Sequence, residues 1–298
     1  MLTRRDFLRL FGGAAAMATS LASYAFAVEP GFRLRVAHYR LTPRGWPQGF
    51  RARVAALSDV HASLPWMSAD RIRRIVERTN GLEPDVTLLL GDYSHGSSWR
   101  SGDVHSWEWA PALGGLRARA GVFGVLGNHD WWSDRSALRR LDGPTYGQLA
   151  LETAGVTMLE NDAQRVEIDG RGLWLAGLGD QLAYLTSAHT PLSGRDDLDA
   201  TIAAIGDAEE PVILMAHEPD IFPQVPDRVA LTLSGHTHGG QVRLFGWAPA
   251  TASRYGQRYV YGHVREDGRD LIVTGGLGYS VAPIRFGSPP EILLVDLG

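Results

Sequence analysis

The chain has 298 residues, of which 44% are hydrophobic and 21% charged, as is usual for a globular protein of one large or two small domains. It contains no cysteine, which excludes a disulfide framework and a thiolate metal site. Any metal must therefore be held by His, Asp, Glu or Asn. Because the net charge is −4 and basic runs are lacking, we expect no stable nucleic-acid binding.

The first 27 residues are predicted to be a targeting segment. Arg4-Arg5 precedes an Ala- and Gly-rich run that extends to Phe26, and Ala25-Phe26-Ala27 has the A-x-A form of a cleavage site. This segment resembles a twin-arginine (Tat) signal peptide, which implies the Tat machinery as a partner and the periplasm or cell envelope as the destination. A membrane anchor or an N-terminal helix is the alternative, and whether cleavage occurs stays open. Residues 28–298 are predicted to form a single domain.

Apolar runs alternate with helical patterns through most of the chain, which favours an α/β fold. Strands are predicted at 32–42, 50–57, 85–90, 121–126, 156–159, 211–216 and 230–233, with a hairpin over 166–178. Helices are predicted at 68–76, 107–119, 133–140, 146–154 and 196–205. Short β runs follow at 258–265, 271–274 and 291–296. The order predicts a mixed sheet packed on a second sheet, with helices outside.

Five predicted strands end in side chains that can bind metal or transfer protons. The blocks are Asp59-x-His61, Gly91-Asp92, Gly127-Asn128-His129-Asp130, His217 and Gly235-His236-x-His238. Open α/β sheets bind ligands beyond the carboxyl ends of their strands, so these blocks are expected to meet. Each block alone is a weak indication, but five in one chain, each after an apolar run, predict a metal centre.

The order and spacing of these blocks resemble the calcineurin-like metallophosphoesterase superfamily over residues 50 to 298. The Tat-like segment and the ending Gly-His-Thr-His-Gly-Gly-Gln resemble an exported bacterial branch of it. The resemblance implies a four-layer α-β-β-α sandwich of two mixed β-sheets flanked by helices. It also implies two divalent metal ions, Mn, Fe or Zn, about 3.5–4 Å apart. The implied ligands are Asp59, His61 and His238 for one ion, Asn128, His217 and His236 for the other, and Asp92 as the bridge.

The resemblance also implies roles around the ions. The bridging carboxylate offsets the repulsion between the cations, and the glycines before Asp92, Asn128 and His236 allow close approach. His129 is implied as the catalytic residue that faces the leaving-group oxygen. Asp130 is expected to orient His129, or else to cap a helix or lie on the surface. Gln241 would contact substrate or simply follow the turn by which the chain leaves the site.

The implied activity is hydrolysis of a phosphomonoester or phosphodiester by direct attack of a hydroxide bound at the dinuclear centre. The substrate would be a small molecule or a lipid-linked phosphoester. Alternatives are a hydrolase of lipid-linked phosphate or pyrophosphate at the membrane surface, and a non-catalytic metal- or phosphate-binding protein on the same fold. An exported nuclease is disfavoured by the acidic charge.

Several residues outside the blocks stay ambiguous. The five tryptophans between Trp99 and Trp132 predict core packing under long loops, or else an apolar shelf that contacts a lipid or the membrane surface. Arg285 is expected in a surface salt bridge, with phosphate contact as the alternative. Five further histidines are expected on loops or without a functional partner, namely His38, His95, His105, His189 and His263.

Overall fold

The computed structural model describes residues 3–185 and 194–298, so the predicted loop histidine His189 lies outside the described residues. The strands are β1 Arg35–Leu41, β2 Ala52–Leu57, β3 Ser63–Leu64, β4 Val86–Leu89, β5 Gly102–Asp103, β6 Val122–Gly124, β7 Thr157–Met158, β8 Asp162–Ile168, β9 Arg171–Gly177, β10 Val212–Met215, β11 Val229–Ser234, β12 Gly262–Glu266, β13 Arg269–Val273 and β14 Glu291–Leu297. The helices are α1 Arg4–Ser23, α2 Glu29–Phe32, α3 Ala69–Asn80, α4 Ser106–Leu113, α5 Asn128–Trp132, α6 Arg135–Arg140, α7 Tyr146–Thr153 and α8 Leu198–Ala203.

Two mixed six-stranded sheets form the centre of the fold. The first has the order β1-β14-β2-β4-β6-β7, in which only the β14–β2 pair is antiparallel. The second has the order β12-β13-β11-β10-β9-β8, with antiparallel pairs at its two edges. A small antiparallel pair, β3 and β5, stands apart from both sheets. The predicted mixed sheets are confirmed.

Three apolar layers separate four layers of secondary structure. Val54 and Leu88 point between the two sheets, where they meet Leu175 and Leu233. On the other face of the first sheet, side chains such as Leu89 pack on α3, α4 and α7. The outer face of the second sheet packs on α8 and on a 3-10 turn over Pro219–Gln224. The alternation along β2 and β4 follows from the two-residue period of a strand, and the predicted α-β-β-α order is found.

Two predicted elements are shorter than expected. The helix predicted to end near Arg119 stops at Leu113, because Gly114 closes it and packs against α7: a Cβ on Gly114 would lie 2.7 Å from the carbonyl oxygen of Ala154. The strand predicted from Arg258 begins at Gly262, since residues Gly256–Tyr259 form a 3-10 turn. Neither change moves a strand end that carries a predicted site residue.

The N-terminal segment is helical across the predicted cleavage site. Helix α1 continues through a π-helical turn, Tyr24–Val28, into α2. The helical stretch Arg4–Phe32 is 29 residues long, and its length and apolar composition would allow it to cross a membrane, properties that signal sequences share. Ala25, in the predicted A-x-A motif, is buried against the domain.

Candidate metal centre

The five blocks converge at one edge of the two sheets, just beyond the carboxyl ends of β2, β4, β6, β10 and β11. Backbone hydrogen bonds lock neighbouring blocks together: the His61 amide donates to the Asp92 carbonyl over 3.0 Å, and the Gly235 amide donates to the His217 carbonyl over 3.0 Å. Parallel neighbours place their carboxyl ends side by side, so strand order brings His61 and His238, which are 177 positions apart, into contact.

Asp59, His61 and His238 form the first group of possible ligands, with side-chain ligand atoms within 4.8 Å of one another. The Nε2 atoms of the two histidines are 3.0 Å apart, and Nε2 of His238 lies 3.4 Å from Oδ1 of Asp59. Nδ1 of His61 donates to the Ser94 carbonyl over 3.0 Å, which leaves the Nε2 lone pair facing the group. This is the tautomer that a metal-binding histidine needs.

Asp92, His217 and His236 form the second group, again within 4.8 Å. Nδ1 of His217 donates to the Leu90 carbonyl over 2.6 Å, and its buried Nε2 makes no hydrogen bond with any described residue. Nδ1 of His236 lies 3.0 Å from Oδ1 of Asn128. The amide oxygen and the imidazole nitrogen thus point at one place, as two ligands of one cation would.

Asp92 lies between the two groups. Its Oδ2 atom is 3.5 Å from Nε2 of His61 and 3.2 Å from Nε2 of His217, and its Oδ1 atom accepts the His129 amide over 2.8 Å. A carboxylate in contact with both histidine sets occupies the position that a ligand shared by two ions requires. The backbone amide fixes its orientation.

Burial and mutual charge set the protonation of the groups. Burial lowers the pKa of His61 to about 3 and that of His238 well below its usual value, so both rings are neutral and able to bind metal. Burial raises the pKa of Asp59 to about 7. Burial also opposes charge on Asp92 and His217, but their mutual attraction prevails: the pKa of Asp92 falls well below, and that of His217 rises well above, the usual value. Each of these two groups therefore favours the charged form of the other.

The donor set fits divalent cations. Imidazole nitrogens, carboxylates and one amide oxygen crowd together in a buried space, and several of these acceptor atoms lie near 3 Å from each other. Such atoms repel unless a proton or a cation lies between them, and the mixed N and O set suits Mn, Fe or Zn. No thiolate is present, since the chain lacks cysteine.

The backbone is strained where the ligands are predicted. Positive φ angles occur at Asp59 (53°), His61 (45°), Asp92 (58°), His236 (67°) and His238 (53°). A positive φ is uncommon outside glycine and costs about 1–3 kcal/mol at each residue. Five of seven predicted ligand positions carry this cost, which indicates that the fold holds these side chains inward for a function.

The glycines of the blocks allow this close packing. A Cβ on Gly91, whose φ is +94°, would lie 2.7 Å from Nδ1 of His217, and one on Gly127 would lie 2.8 Å from Cε1 of the same ring. A Cβ on Gly235 would lie 2.6 Å from Oδ2 of Asp59. None of these three glycines has room for a side chain, as expected. Of the three, only Gly91 also has the positive φ that favours glycine.

Comparison with known proteins identifies this architecture. The sequence model for calcineurin-like phosphoesterases matches residues 52–240, a span that contains every predicted ligand from Asp59 to His238. The chain belongs to the calcineurin-like phosphoesterase family. It is therefore a hydrolase that acts on phosphoester bonds, and its family implies divalent metal ions, for which the two groups described above are candidate ligands.

Relatives of similar length occur in bacteria. The chain is 29% identical over 306 residues to the metallophosphoesterase YkuE of Bacillus subtilis, covering 99% of this chain and 98% of the relative. It is 29% identical over 302 residues to the phosphodiesterase YaeI of Escherichia coli, covering the whole of both. A transmembrane protein with a metallophosphoesterase domain from Danio rerio is 31% identical over 254 residues, 82% of this chain but only 53% of that protein.

His129 lies at the rim of this phosphoesterase centre. Its ring is 4.9 Å from the His61 ring and 5.0 Å from that of Trp132, measured between centroids. It is half-buried, while the ligand histidines His61 and His217 are fully buried. No described residue makes a hydrogen bond to its imidazole, so the ring is free to meet a substrate oxygen.

Asp130 organises two loops instead of bonding to the His129 ring. Its carboxylate accepts four backbone amides, those of Asp92, Tyr93, Ser94 and Gly127, at 2.9–3.0 Å. It thus caps α5 and ties the loop that bears Asp92 to the loop that bears His129. Burial raises the pKa of Asp130 to about 6, so the group is largely ionised above neutral pH.

We expect Asp130→Asn to destabilise the protein by about 2–4 kcal/mol, because the new amide group faces two N–H donors that then lack an acceptor. Metal affinity should fall as well, since the Asp92 loop loses its support. Asp134→Asn is the matched control: Asp134 is buried and accepts three backbone amides on α6 and α7, away from the ligands. It should lower the melting temperature without changing metal content measured by elemental analysis.

Arg285 and Gln241 support the His238 loop from behind. The expectation of a surface salt bridge for Arg285 is wrong: its side chain is fully buried and donates to the carbonyls of Gly275, Gly278 and Ser288 at 2.7–2.8 Å. Its Nη2 atom also lies 3.3 Å from Nδ1 of His238, and burial lowers its pKa to about 10. Gln241 bonds Ser280 and Ala282, so it braces a loop and does not reach either ligand group.

The sequence interpretation missed two carboxylates beside the second group. Asp180 and Glu218 are buried, and their ligand atoms lie within 4.8 Å of His217. Burial, followed by the charge of Glu218, raises the pKa of Asp180 well above its usual value, which favours the protonated form of Asp180. Asp180 follows β9 after Gly177-Leu178-Gly179, and this Gly-x-Gly-Asp ending of an apolar strand was the available indication.

The remaining aromatic and histidine residues divide between core and surface. Trp109 and Trp131 are buried and Trp132 partly so, which bears out core packing for them, whereas Trp99 and Trp107 are exposed. His105 precedes α4 and stacks on Trp107 with centroids 4.2 Å apart. His38 and His263 have partners after all, Asp296 at 2.8 Å and Asp270 at 2.7 Å. His95 is half-buried three residues after Asp92.

Proposed function

We propose that this phosphoesterase hydrolyses a phosphomonoester or phosphodiester at a dinuclear metal centre, outside the cytoplasm. The supporting observation is the position of Asp92 between two groups of inward-facing ligands, with Asp59, His61 and His238 on one side and Asn128, His217 and His236 on the other. A single ion would need one such group.

Two divalent ions held by these groups would lower the pKa of a water molecule and neutralise charge on the phosphoryl oxygens. The chain's residues supply the rest. Asp92 holds the groups at a fixed separation, since its Oδ1 atom is tied to the His129 amide. The neutral amide of Asn128 keeps the centre positive enough to attract a phosphate. His129, whose half-buried ring makes no hydrogen bond with a described residue, protonates or stabilises the leaving-group oxygen.

A diester is the substrate to test first. The relative YaeI, which aligns with the whole chain, is named a phosphodiesterase. The name of YkuE, a metallophosphoesterase, does not distinguish a monoester from a diester substrate. The acidic net charge of −4 makes a small diester a better expectation than a nucleic acid.

We propose that the Tat route exports the protein from the cytoplasm. Arg4 and Arg5 lie in the first turn of the apolar helix α1, and positive charges at that end favour an N-terminus that stays in the cytoplasm while the following domain is translocated. Expression with Arg4 and Arg5 both changed to Lys, followed by cell fractionation, tests it: the unchanged chain should leave the cytoplasm and the variant should stay. Equal distribution of both would contradict the Tat route.

We expect His129→Gln to lower kcat for bis(p-nitrophenyl) phosphate about 10²–10⁴-fold while both ions stay bound, because the proton transfer is lost and no ligand is removed. The loss should be smaller for a substrate whose leaving group is a weaker base, since such a group needs less help. Steady-state kinetics with nitrophenyl and alkyl esters, alongside elemental analysis, measure this. An unchanged ratio between the two esters would contradict the role of His129.

A further inference from the structure

Five large apolar side chains stand exposed on three loops near the metal centre. We call Trp99, Leu244, Phe245, Trp247 and Val281 the apolar rim. Their exposed fractions are 66%, 47%, 110%, 55% and 76%, respectively. Single exposed apolar residues are ordinary on a protein surface, but a cluster marks a surface that meets another apolar phase.

Backbone pairing joins the three loops into one surface. Val242 pairs with Phe286, which places the turn Leu244–Trp247 beside the loop that carries Val281. The Val281 amide donates to the Gly96 carbonyl over 3.1 Å, and the Ser97 hydroxyl donates to the Val281 carbonyl over 2.5 Å. Trp99 lies two residues after Ser97 on the same loop. Backbone contacts therefore hold the three loops of the apolar rim together.

Two members of the apolar rim are held in an unfavourable backbone conformation. Phe245 has φ 53° and Val281 has φ 62°, and a β-branched residue is a rare occupant of that region. Both side chains are exposed, so no burial of apolar surface offsets the free energy that this backbone conformation costs. Backbone strain at exposed apolar residues indicates that these side chains serve a contact outside the domain and not its stability.

The N-terminal helix leaves the domain beside the apolar rim. The Arg285 amide donates to the Ala25 carbonyl over 2.9 Å, and the ring of Tyr24 meets that of Phe286 edge-on at 5.9 Å. The buried carboxylate of Glu29 accepts the amides of Gly287 and Ser288 at 3.0 and 2.7 Å. The exit of the helix is thus fastened to the loop that also carries Val281.

Helix α1 itself buries none of its residues in the domain. Phe7, Leu8, Leu10, Phe11 and Met17 are all more than half exposed, and the helical stretch is long and apolar enough to cross a bilayer. Beyond it, Phe26 and Phe32 are also exposed. An apolar helix that enters a membrane would bring the adjoining surface of the domain to the lipid interface, where Trp and Phe are favoured.

We propose that the apolar rim is a membrane-docking surface, which inserts into the lipid bilayer that α1 enters and holds the metal centre at the membrane surface. One helix alone would leave the domain free to rotate, whereas the apolar rim adds a second attachment that fixes its orientation. The same loops support the ligands: a Cβ on Gly96 would lie 2.6 Å from the His61 ring, and Gln241 is three residues after His238. The metal centre is therefore held close to the interface.

The absence of cysteine allows a direct test with the full-length chain. Phe245→Cys and, separately, Trp247→Cys are labelled with an environment-sensitive fluorophore and reconstituted into vesicles of phosphatidylethanolamine and phosphatidylglycerol. Glu167→Cys is the matched control, because it is exposed on β8 near the β8–β9 turn, at the opposite edge of the sheets. Because α1 is present in all three variants, only the position of the label differs.

We expect the labels at 245 and 247 to shift their emission to the blue and to be quenched by lipids brominated in the acyl chain, while the label at 167 behaves as in water. Equal, water-like emission at all three positions would overturn the proposal. A blue shift that appears without vesicles and grows with protein concentration would indicate a second copy of the chain, and would also overturn it. The readout does not depend on hydrolysis, and activity on a soluble diester reports that each variant is folded.

Discussion

Asp92→Asn should lower kcat/KM for a phosphodiester by about a thousandfold or more while the protein stays folded. The carboxylate lies between both ligand groups, so its loss removes several kcal/mol of stabilisation of the two-ion arrangement, and each 1.4 kcal/mol is about tenfold in rate. The fold should survive, because Oδ1 of the new amide still accepts the His129 amide and its NH₂ group can donate to Nε2 of His217.

The metal content separates this expectation from a general loss of structure. Elemental analysis of Asp92→Asn should give fewer than two ions per chain, while its circular dichroism spectrum stays unchanged. Asp134→Asn serves as the control, since it makes the same chemical change at another buried aspartate and should keep full metal content and activity. Full activity of Asp92→Asn with two ions bound would contradict the proposed role of Asp92 as the ligand shared by both ions.

Gly235→Ala should destabilise the protein strongly although it adds only one methyl group. The new Cβ would overlap the Ser58 hydroxyl and lie 2.6 Å from Oδ2 of Asp59, and it would push the following His236 out of position. Overpacking of this kind costs about 3 kcal/mol, which corresponds to a fall in melting temperature of roughly 6–12 °C. Metal binding should fail in both groups, because Asp59 belongs to one and His236 to the other.

Gly81→Ala is the matched control for that change. Gly81 ends α3 with φ −67°, and a Cβ there meets its nearest atoms at an ordinary 3.5 Å. Its stability should stay within about 0.5 kcal/mol of the parent chain. If Gly235→Ala unfolds completely, the double change with Ser58→Gly should restore part of the stability by removing one of the two clashes. Equal melting curves for Gly235→Ala and Gly81→Ala would contradict the close approach.

Strand ends were predictable from the sequence because local patterns determine them. An apolar run followed by a metal-competent side chain is visible within about ten residues, and five such runs, three of them with an intervening glycine, gave the predicted site residues from Asp59 to His238. The layered fold followed from the alternation of strand and helix patterns. These inferences need no knowledge of long-range packing beyond the rule that parallel strands present their carboxyl ends together.

The supporting residues were not predictable in the same way, because their partners are remote in sequence. Arg285 supports His238 from 47 positions away, and Asp130 binds amides 36 to 38 positions back. Glu29 accepts amides 258 and 259 positions along the chain. Whether such a charged side chain is buried depends on loops that no local periodicity describes, and so Arg285 was expected at the surface.

The N-terminal segment shows the same limit. Its composition predicted a signal peptide that ends at Ala27, while the structure continues as a helix to Phe32 and fastens Glu29 to the loop behind His238. Composition describes how a segment meets a membrane, but not what it contacts in the folded domain. The predicted cleavage therefore stays a prediction, and mass spectrometry of the protein from its host would measure it.

The most direct test of the dinuclear centre is anomalous X-ray scattering from crystals of the manganese-loaded protein. We predict two peaks about 3.5–4 Å apart, one beside Asp59, His61 and His238 and the other beside Asn128, His217 and His236, with the Asp92 carboxylate between them. A single peak, or two peaks that do not share Asp92, would contradict the account.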